Sequence, residues 1–204
     1  MTRSPEPQLL ESDLHPDPIV QFKHWLEEAV RANVSLPHAM ALATATGSGV
    51  PSARIVLMKY CDERGVTFVT NYGSRKGSEL EENPRAALVF HWAEMGRQVR
   101  MEGPVEKVGG AESDALFSAR PRDNQLSSAA SPQSEESVLE ELDLRYEEAR
   151  RRYQGIAVPR PPQWGGYRVR LERVEFWQHR FARMNDRIEY VKIEQEWLKR
   201  RLAP

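Results

Sequence analysis

Hydrophobic residues fall at two different spacings along this chain. Behind Asp17-Pro18, an N-cap followed by a first-turn proline, Phe22, Trp25, Leu26, Ala29 and Val30 share one helical face up to about Ala32. Val138, Leu142, Tyr146, Ala149 and Tyr153 form a second helical stripe opposite a face crowded with Glu and Arg, and Ser134 is placed to cap it. Elsewhere the apolar residues come in short runs broken by turn formers. These predict strands at Ala39 to Thr46, in two arms of the stretch 51–71, at Arg85 to Trp92, and at Arg97 to Val108 with a bend at Gly103-Pro104. Tyr167, Val169 and Leu171 alternate with Arg168, Arg170 and Glu172 as in a half-buried strand, which Val174 to Trp177 continues. A last hairpin pairs Ile188 to Ile193 with Trp197 to Leu202. Short helices are expected at Arg75 to Glu82, closed by Asn83-Pro84, and at Ala111 to Ala119, with a polar, small-residue connection after Arg120.

Roughly six to eight short strands flanked by a few helices predict one mainly β domain, an antiparallel barrel or split barrel, over residues 17–204. Residues 1–16, rich in proline and charge, read as a mobile tail. Lys and Arg number 29 against 30 Asp and Glu, a formal net charge of -1, so no global basic field argues for nucleic acid. No apolar run approaches the roughly 20 residues of a membrane span, and the N-terminus has no signal-peptide core, so a cytoplasmic protein is expected. The single cysteine, Cys61, forms no internal disulfide and reads as a small residue at a strand end. The histidines are scattered, and neither metal-ligand spacing nor a nucleophile motif nor a P-loop occurs, which disfavours hydrolase and metal chemistry.

What remains is a distributed set of cations and amides. Arg54 and Lys59 lie on one arm of the 51–71 hairpin, and Ser74-Arg75-Lys76 opens the next helix. A helix start offers unpaired backbone N–H groups and the positive end of its dipole, so this combination suits a phosphate. Gln98, Arg120, Gln133, Ser134, Arg183 and Arg187 extend the set, with aromatic side chains at Trp164 and Trp177. A ligand carrying a phosphate and a flat ring would use arginines for oxygens, amides for ring edges and an aromatic or aliphatic wall. A solvated hairpin with ordinary surface charges uses the same residues, and spacing does not decide between the two.

In order and interval, RIVLMK (54–59), TNYGSRKG (70–77), NPRAALVFHW (83–92), RQVRMEGPVEK (97–107), SARPRDNQ (118–125), WGGYRV (164–169), EFWQ (175–178), RMNDR (183–187) and RLAP (201–204) resemble the pyridoxine/pyridoxamine 5'-phosphate oxidase family. The resemblance runs from about Asp13 to Pro204. It implies an FMN-binding split β-barrel acting as a homodimer with the flavin at the interface. The chemistry implied is hydride transfer from a CH–NH2 or CH–OH carbon to FMN, reoxidation by O2 to hydrogen peroxide, and pyridoxal 5'-phosphate as candidate product. The FMN contacts implied are Arg54, Ile55, Val56, Leu57, Lys59, Thr70, Arg75, Lys76, Gln98, Gln133, Ser134, Trp177 and Arg187. Arg54, Arg75, Lys76 and Ser134 would serve its phosphate, and Gln98, Trp177 and Arg187 would surround its ring.

Three substrate positions depart from the pattern. Lys59 and Arg120 stand where the family holds the substrate phosphate, but Leu116 replaces a tyrosine and Asn124 a serine. Over the substrate ring the family's arginine-x-histidine pair reads Arg183-Met184-Asn185, and its N-terminal arginine and tyrosine find no match before Asp13. Leucine removes a phosphate hydrogen bond outright, and asparagine cannot become an imidazolium. The implied substrate is pyridoxamine 5'-phosphate, with the same oxidase chemistry on a phenazine-type aromatic molecule, or flavin binding with little turnover, as the alternatives.

Overall fold

The structure, a computed structural model, describes residues 8–204. Helix α1 (Pro18–Arg31) starts where Asp17 Oδ1 accepts a 2.7 Å hydrogen bond from the Ile19 amide, with Pro18 in the first turn. Its buried face carries Phe22, Trp25 and Ala29, whereas Val30 turns to solvent. Phe22 packs on Phe90 with ring centroids 4.8 Å apart, and Trp25 meets Phe176 edge-on at 5.0 Å. Burying a side chain of this kind stabilises the fold by about 1.5–3 kcal/mol.

Ten strands follow among the described residues, more than the expected six to eight: β1 (Ala39–Ala45), β2 (Pro51–Leu57), β3 (Tyr60–Asp62), β4 (Gly65–Asn71), β5 (Arg85–Trp92), β6 (Arg97–Lys107), β7 (Trp164–Val169), β8 (Arg173–Gln178), β9 (Asp186–Ile193) and β10 (Glu196–Arg201). The hydrogen-bonded order is β10-β9-β8-β6-β5-β1-β2, with β4 joined to β3 and β7, and β7 to β6. The pairings are antiparallel. β6 is the shared strand. Arg97 to Glu102 pair with β8, and Val105 to Lys107 pair with β7. The change of partner falls at Gly103-Pro104, where a Cβ on Gly103 would lie 1.8 Å from the Arg170 carbonyl oxygen. Only glycine admits that approach, and the bend there curls the sheet.

The expected alternation at 167–172 holds at exposed Arg170, buried Leu171 and exposed Glu172, and is corrected at Arg168. β7 is buried along its whole length, Arg168 included at 5% exposure. Tyr167 and Val169 enter the barrel core, while Trp164 joins a second apolar cluster with Phe117, Leu126, Ala149 and Val158. Helix α3 (Gly110–Ser118) covers the other face, where Glu112 accepts a charged hydrogen bond from Arg168. Alternating polarity here marks a covered ion pair rather than solvent.

Helix α2 (Arg75–Glu82) has its expected bounds, and the connection after Arg120 contains an unexpected helix, α4 (Arg122–Ala130). Only Leu126 of α4 is buried, so apolar periodicity barely marks it. Helix α5 (Leu139–Arg152) has its N-cap position at Val138, not at Ser134. Ser134 instead has φ 73 and is third in a turn closed by the Glu135 amide on the Pro132 carbonyl at 3.0 Å. Val138 and the nearby Leu142 are exposed, and Tyr146, Ala149 and Tyr153 carry the packing.

The mobile tail expected over residues 1–16 is corrected in its second half. Leu9 and Leu14 are buried, the Leu9 amide donates to Asp186 at 3.0 Å, and Lys199 Nζ donates to the Leu14 carbonyl at 3.0 Å. Residues 1–7 lie outside the described residues.

Candidate cofactor and substrate cleft

Among the described residues β2 pairs only with β1, and its residues alternate between half-buried and exposed. Beside it opens a cavity of about 840 Å³, a volume suited to a small cofactor with a substrate. Ser52 to Leu57, Thr70, Arg75, Lys76, Gln133 and Ser134 line one part, and Lys59, Leu116, Arg120 and Asn124 line the rest. Ten of the predicted FMN contacts (Arg54, Ile55, Val56, Leu57, Lys59, Thr70, Arg75, Lys76, Gln133, Ser134) and four of the predicted substrate contacts (Lys59, Leu116, Arg120, Asn124) therefore converge.

At the first end the cations are organised by a buried acid that sequence reasoning missed. Glu79, 3% exposed, accepts hydrogen bonds from Ser52 Oγ at 2.6 Å, Arg75 Nε at 2.9 Å, Arg54 Nη2 at 3.3 Å and the Thr44 hydroxyl. Arg54 also donates to the Thr44 and Ser52 hydroxyls. Burial alone would raise the Glu79 carboxyl; its hydrogen bonds outweigh that and hold it down at about 2. The spacing of Arg75 and Glu79 by four residues on one helix was the available signal.

Lys76 Nζ donates to Thr70 Oγ1 at 2.9 Å, Ser74 Oγ at 3.0 Å and Gln133 Oε1 at 3.1 Å. Burial, then the charge of Arg54, pushes its amine down to about 8. Ser74 makes no side-chain cap; its hydroxyl donates instead to the Asn71 carbonyl at 2.7 Å. The first-turn amides of α2 thus keep their capacity for an anion beside three cations.

At the other end Lys59 and Arg120 have no carboxylate within ion-pair distance among the described residues. The Arg120 guanidinium lies 5.0 Å from the Trp164 ring centre, and its Nη2 donates to the Asn124 carbonyl at 3.2 Å. Its Nε is buried with no protein partner. Desolvation lowers both groups, and the charge of Arg120 lowers Lys59 further.

Gln98, Trp177, Arg183, Asn185 and Arg187 do not line this cavity. Gln98, Trp177 and Arg187 occupy one row across β6, β8 and β9, in direct register. Arg187 forms a fork on Glu175 at 2.8 and 3.1 Å and also donates to the Ala203 carbonyl. Arg183 is exposed in a turn with φ 61, beside Ala182 at φ 56. Asn185 Oδ1 accepts the Arg180 amide at 3.0 Å, so one end of its side chain holds this turn.

The family described as pyridoxamine 5'-phosphate oxidase matches residues 26–152, and the pyridoxine 5'-phosphate oxidase C-terminal dimerisation region matches 164–204. This chain belongs to the pyridoxamine 5'-phosphate oxidase family. Its relatives include a pyridoxine/pyridoxamine 5'-phosphate oxidase of Rubrobacter xylanophilus, 54% identical over 96% of this chain and 91% of the relative. Another, from Acaryochloris marina, is 49% identical over 96% and 90%. Among solved structures, PhzG from Burkholderia lata 383 in complex with tetrahydrophenazine-1-carboxylic acid superposes with a TM-score of 0.92 at 36% identity, covering 99% and 100% of the two chains. A related FMN-binding protein of Nostoc punctiforme, at 16% identity and TM-score 0.76 over 94% and 100%, shares the fold. The expected split-barrel class and FMN-dependent oxidoreductase chemistry stand with the family. No helix among the described residues is long and apolar enough to cross a membrane.

Within the family frame the cleft suits FMN. Arg54, Arg75, Lys76 and the open start of α2 form a donor set for a phosphate dianion, and Ile55, Val56, Leu57 and Val69 supply apolar wall. Leu116 faces the same cavity as Arg120, and Asn124 stands one turn beyond it on α4.

Proposed function

We propose that this protein oxidises pyridoxamine or pyridoxine 5'-phosphate to pyridoxal 5'-phosphate, as a homodimer whose second copy closes each flavin cleft. The observation that carries the reading is one cleft lined by two groups of cations, each of which suits an anion. Arg54, Arg75 and Lys76 form one, and Lys59 and Arg120, which meet no carboxylate among the described residues, form the other. A phosphorylated cofactor beside a phosphorylated substrate uses both. The second site supports a charged ligand because an unpaired arginine donor in a cleft costs free energy until an acceptor arrives.

Bound FMN supplies the hydride acceptor and the reaction with O2 that yields hydrogen peroxide. The chain's residues bind and orient. Lys59 and Arg120 hold the substrate phosphate, fixing the distance from that anchor to the reacting carbon. Thr70, Gln133 and Ser134 offer polar contacts along the cofactor. Gln98, Trp177 and Arg187, displaced from the cleft within one chain, would come to the flavin ring from the second copy, with Arg183 over the substrate ring. The dimerisation region at 164–204 contains Trp177, Arg183 and Arg187 and supports this arrangement.

Leu116 favours a second reading, oxidation of a larger aromatic molecule, because an apolar side chain lies beside the cation pair. Steady-state peroxide release separates the two. The first predicts turnover of pyridoxamine 5'-phosphate and a large loss with unphosphorylated pyridoxamine. Equal rates on the two compounds, or none on either, would overturn it.

A further inference from the structure

Glu79 does not line the cleft, yet three residues that do line it, Ser52, Arg54 and Arg75, all contact its carboxylate. The two carboxylate oxygens divide the work: Oε1 takes Arg75 Nε, and Oε2 takes Arg54 Nη2 and the Thr44 and Ser52 hydroxyls. Among the described residues, Nε of Arg54 and both Nη groups of Arg75 retain no hydrogen bond. We propose that Glu79 is a positioning residue that holds Arg54 and Arg75 in the orientation in which their remaining N–H groups receive the flavin phosphate. The inference rests on the FMN reading above.

The physical case turns on Arg75. Its side chain is 63% exposed, so in isolation it would sample many rotamers and lose that freedom when a phosphate bound. Fixing Nε on a buried carboxylate removes much of the loss beforehand and aims the fork. Arg54 and Arg75 also repel each other, and Lys76 adds a third charge nearby. The Glu79 anion offsets one of these and lets the three cations coexist before the cofactor arrives.

The same observations allow an opposite outcome, in which Glu79 competes with the phosphate for both arginines. Removing its charge would then tighten FMN binding. The two accounts differ in sign.

Apoprotein of wild type, Glu79→Gln and Glu79→Asp would be titrated with FMN and with riboflavin, following the quenching of flavin fluorescence. Positioning predicts that Glu79→Gln weakens FMN about tenfold or more and moves riboflavin less than about twofold, because only FMN carries the phosphate. Glu79→Asp keeps the charge but withdraws it by one methylene, and is expected to weaken FMN as well. It also serves if the glutamine variant does not fold. In an Arg75→Gln background the further effect of Glu79→Gln should shrink, since both act through one guanidinium. Unchanged or tighter FMN binding in Glu79→Gln would overturn the proposal, as would equal weakening of FMN and riboflavin. A wild-type protein that fails to prefer FMN over riboflavin would instead remove the FMN reading itself.

Discussion

Two cation pairs share one cleft and are built in opposite ways. Arg54 and Arg75 meet on a buried carboxylate, Glu79, with hydroxyls of Thr44 and Ser52 completing the network. Among the described residues Lys59 and Arg120 meet no carboxylate, and Arg120 keeps a buried donor without a partner. The first arrangement has its charge partly offset and its guanidinium groups held before any ligand binds, and suits a cofactor that stays. The second remains unsatisfied until an anion arrives and again when it leaves, which suits a substrate that turns over.

The largest expected effect lies at the unsatisfied pair. Arg120→Ala removes charged hydrogen bonds worth about 1.5–3 kcal/mol each, so kcat/KM for pyridoxamine 5'-phosphate should fall about 100-fold or more. FMN content, read from the flavin absorbance of purified protein, should stay near one per chain. Arg75→Gln should do the reverse. FMN affinity drops about tenfold, and KM for substrate in the FMN-saturated enzyme changes little. If the two variants damage the same property, the division of the cleft is wrong.

The pH dependence sharpens the comparison further. Burial and Arg54 place the Lys76 amine at about 8 in the free protein. Its charge is present below that value and lost as pH rises through it. An FMN phosphate favours the charged form, so binding to apoprotein should weaken by up to about tenfold per pH unit above 8 until the amine of the complex itself titrates. Titrations at pH 7 and 9 check this, and Lys76→Met should flatten the difference. The smallest expected effect is at Leu116→Tyr, which offers the substrate phosphate one more hydrogen bond. A gain of about three- to tenfold in kcat/KM would follow, and no gain would assign Leu116 to another substrate.

Much of this fold was legible because the strands follow strict rules of burial. The bounds of Arg75–Glu82 and Arg85–Trp92 match the expectations drawn from Asn83-Pro84 and from the apolar run. What failed was polarity that tertiary structure had covered. Arg168 alternates like a solvent-facing residue, but α3 brings Glu112 over it. Ser134 has the chemistry of a cap and sits in a left-handed turn instead, four residues before α5 has its own cap position. In the site, the cations were visible as residue types, but their convergence was not. Lys59 and Arg120 are far apart in sequence, and Arg120 reaches the cleft from the end of α3 with its guanidinium over Trp164 of β7. Glu79 escaped because a glutamate four residues after an arginine reads as an ordinary surface helix pair. Its burial against β1 and β2 is what gives it a role.

Binding of pyridoxal 5'-phosphate to the FMN-loaded protein by calorimetry, set beside binding of unphosphorylated pyridoxal, tests the two-site account most directly. One site that needs the phosphate, weakened about tenfold or more by Arg120→Ala and little changed by Arg75→Gln in FMN-saturated protein, is the predicted result. Equal affinity for the two compounds, or equal loss in both variants, would contradict it.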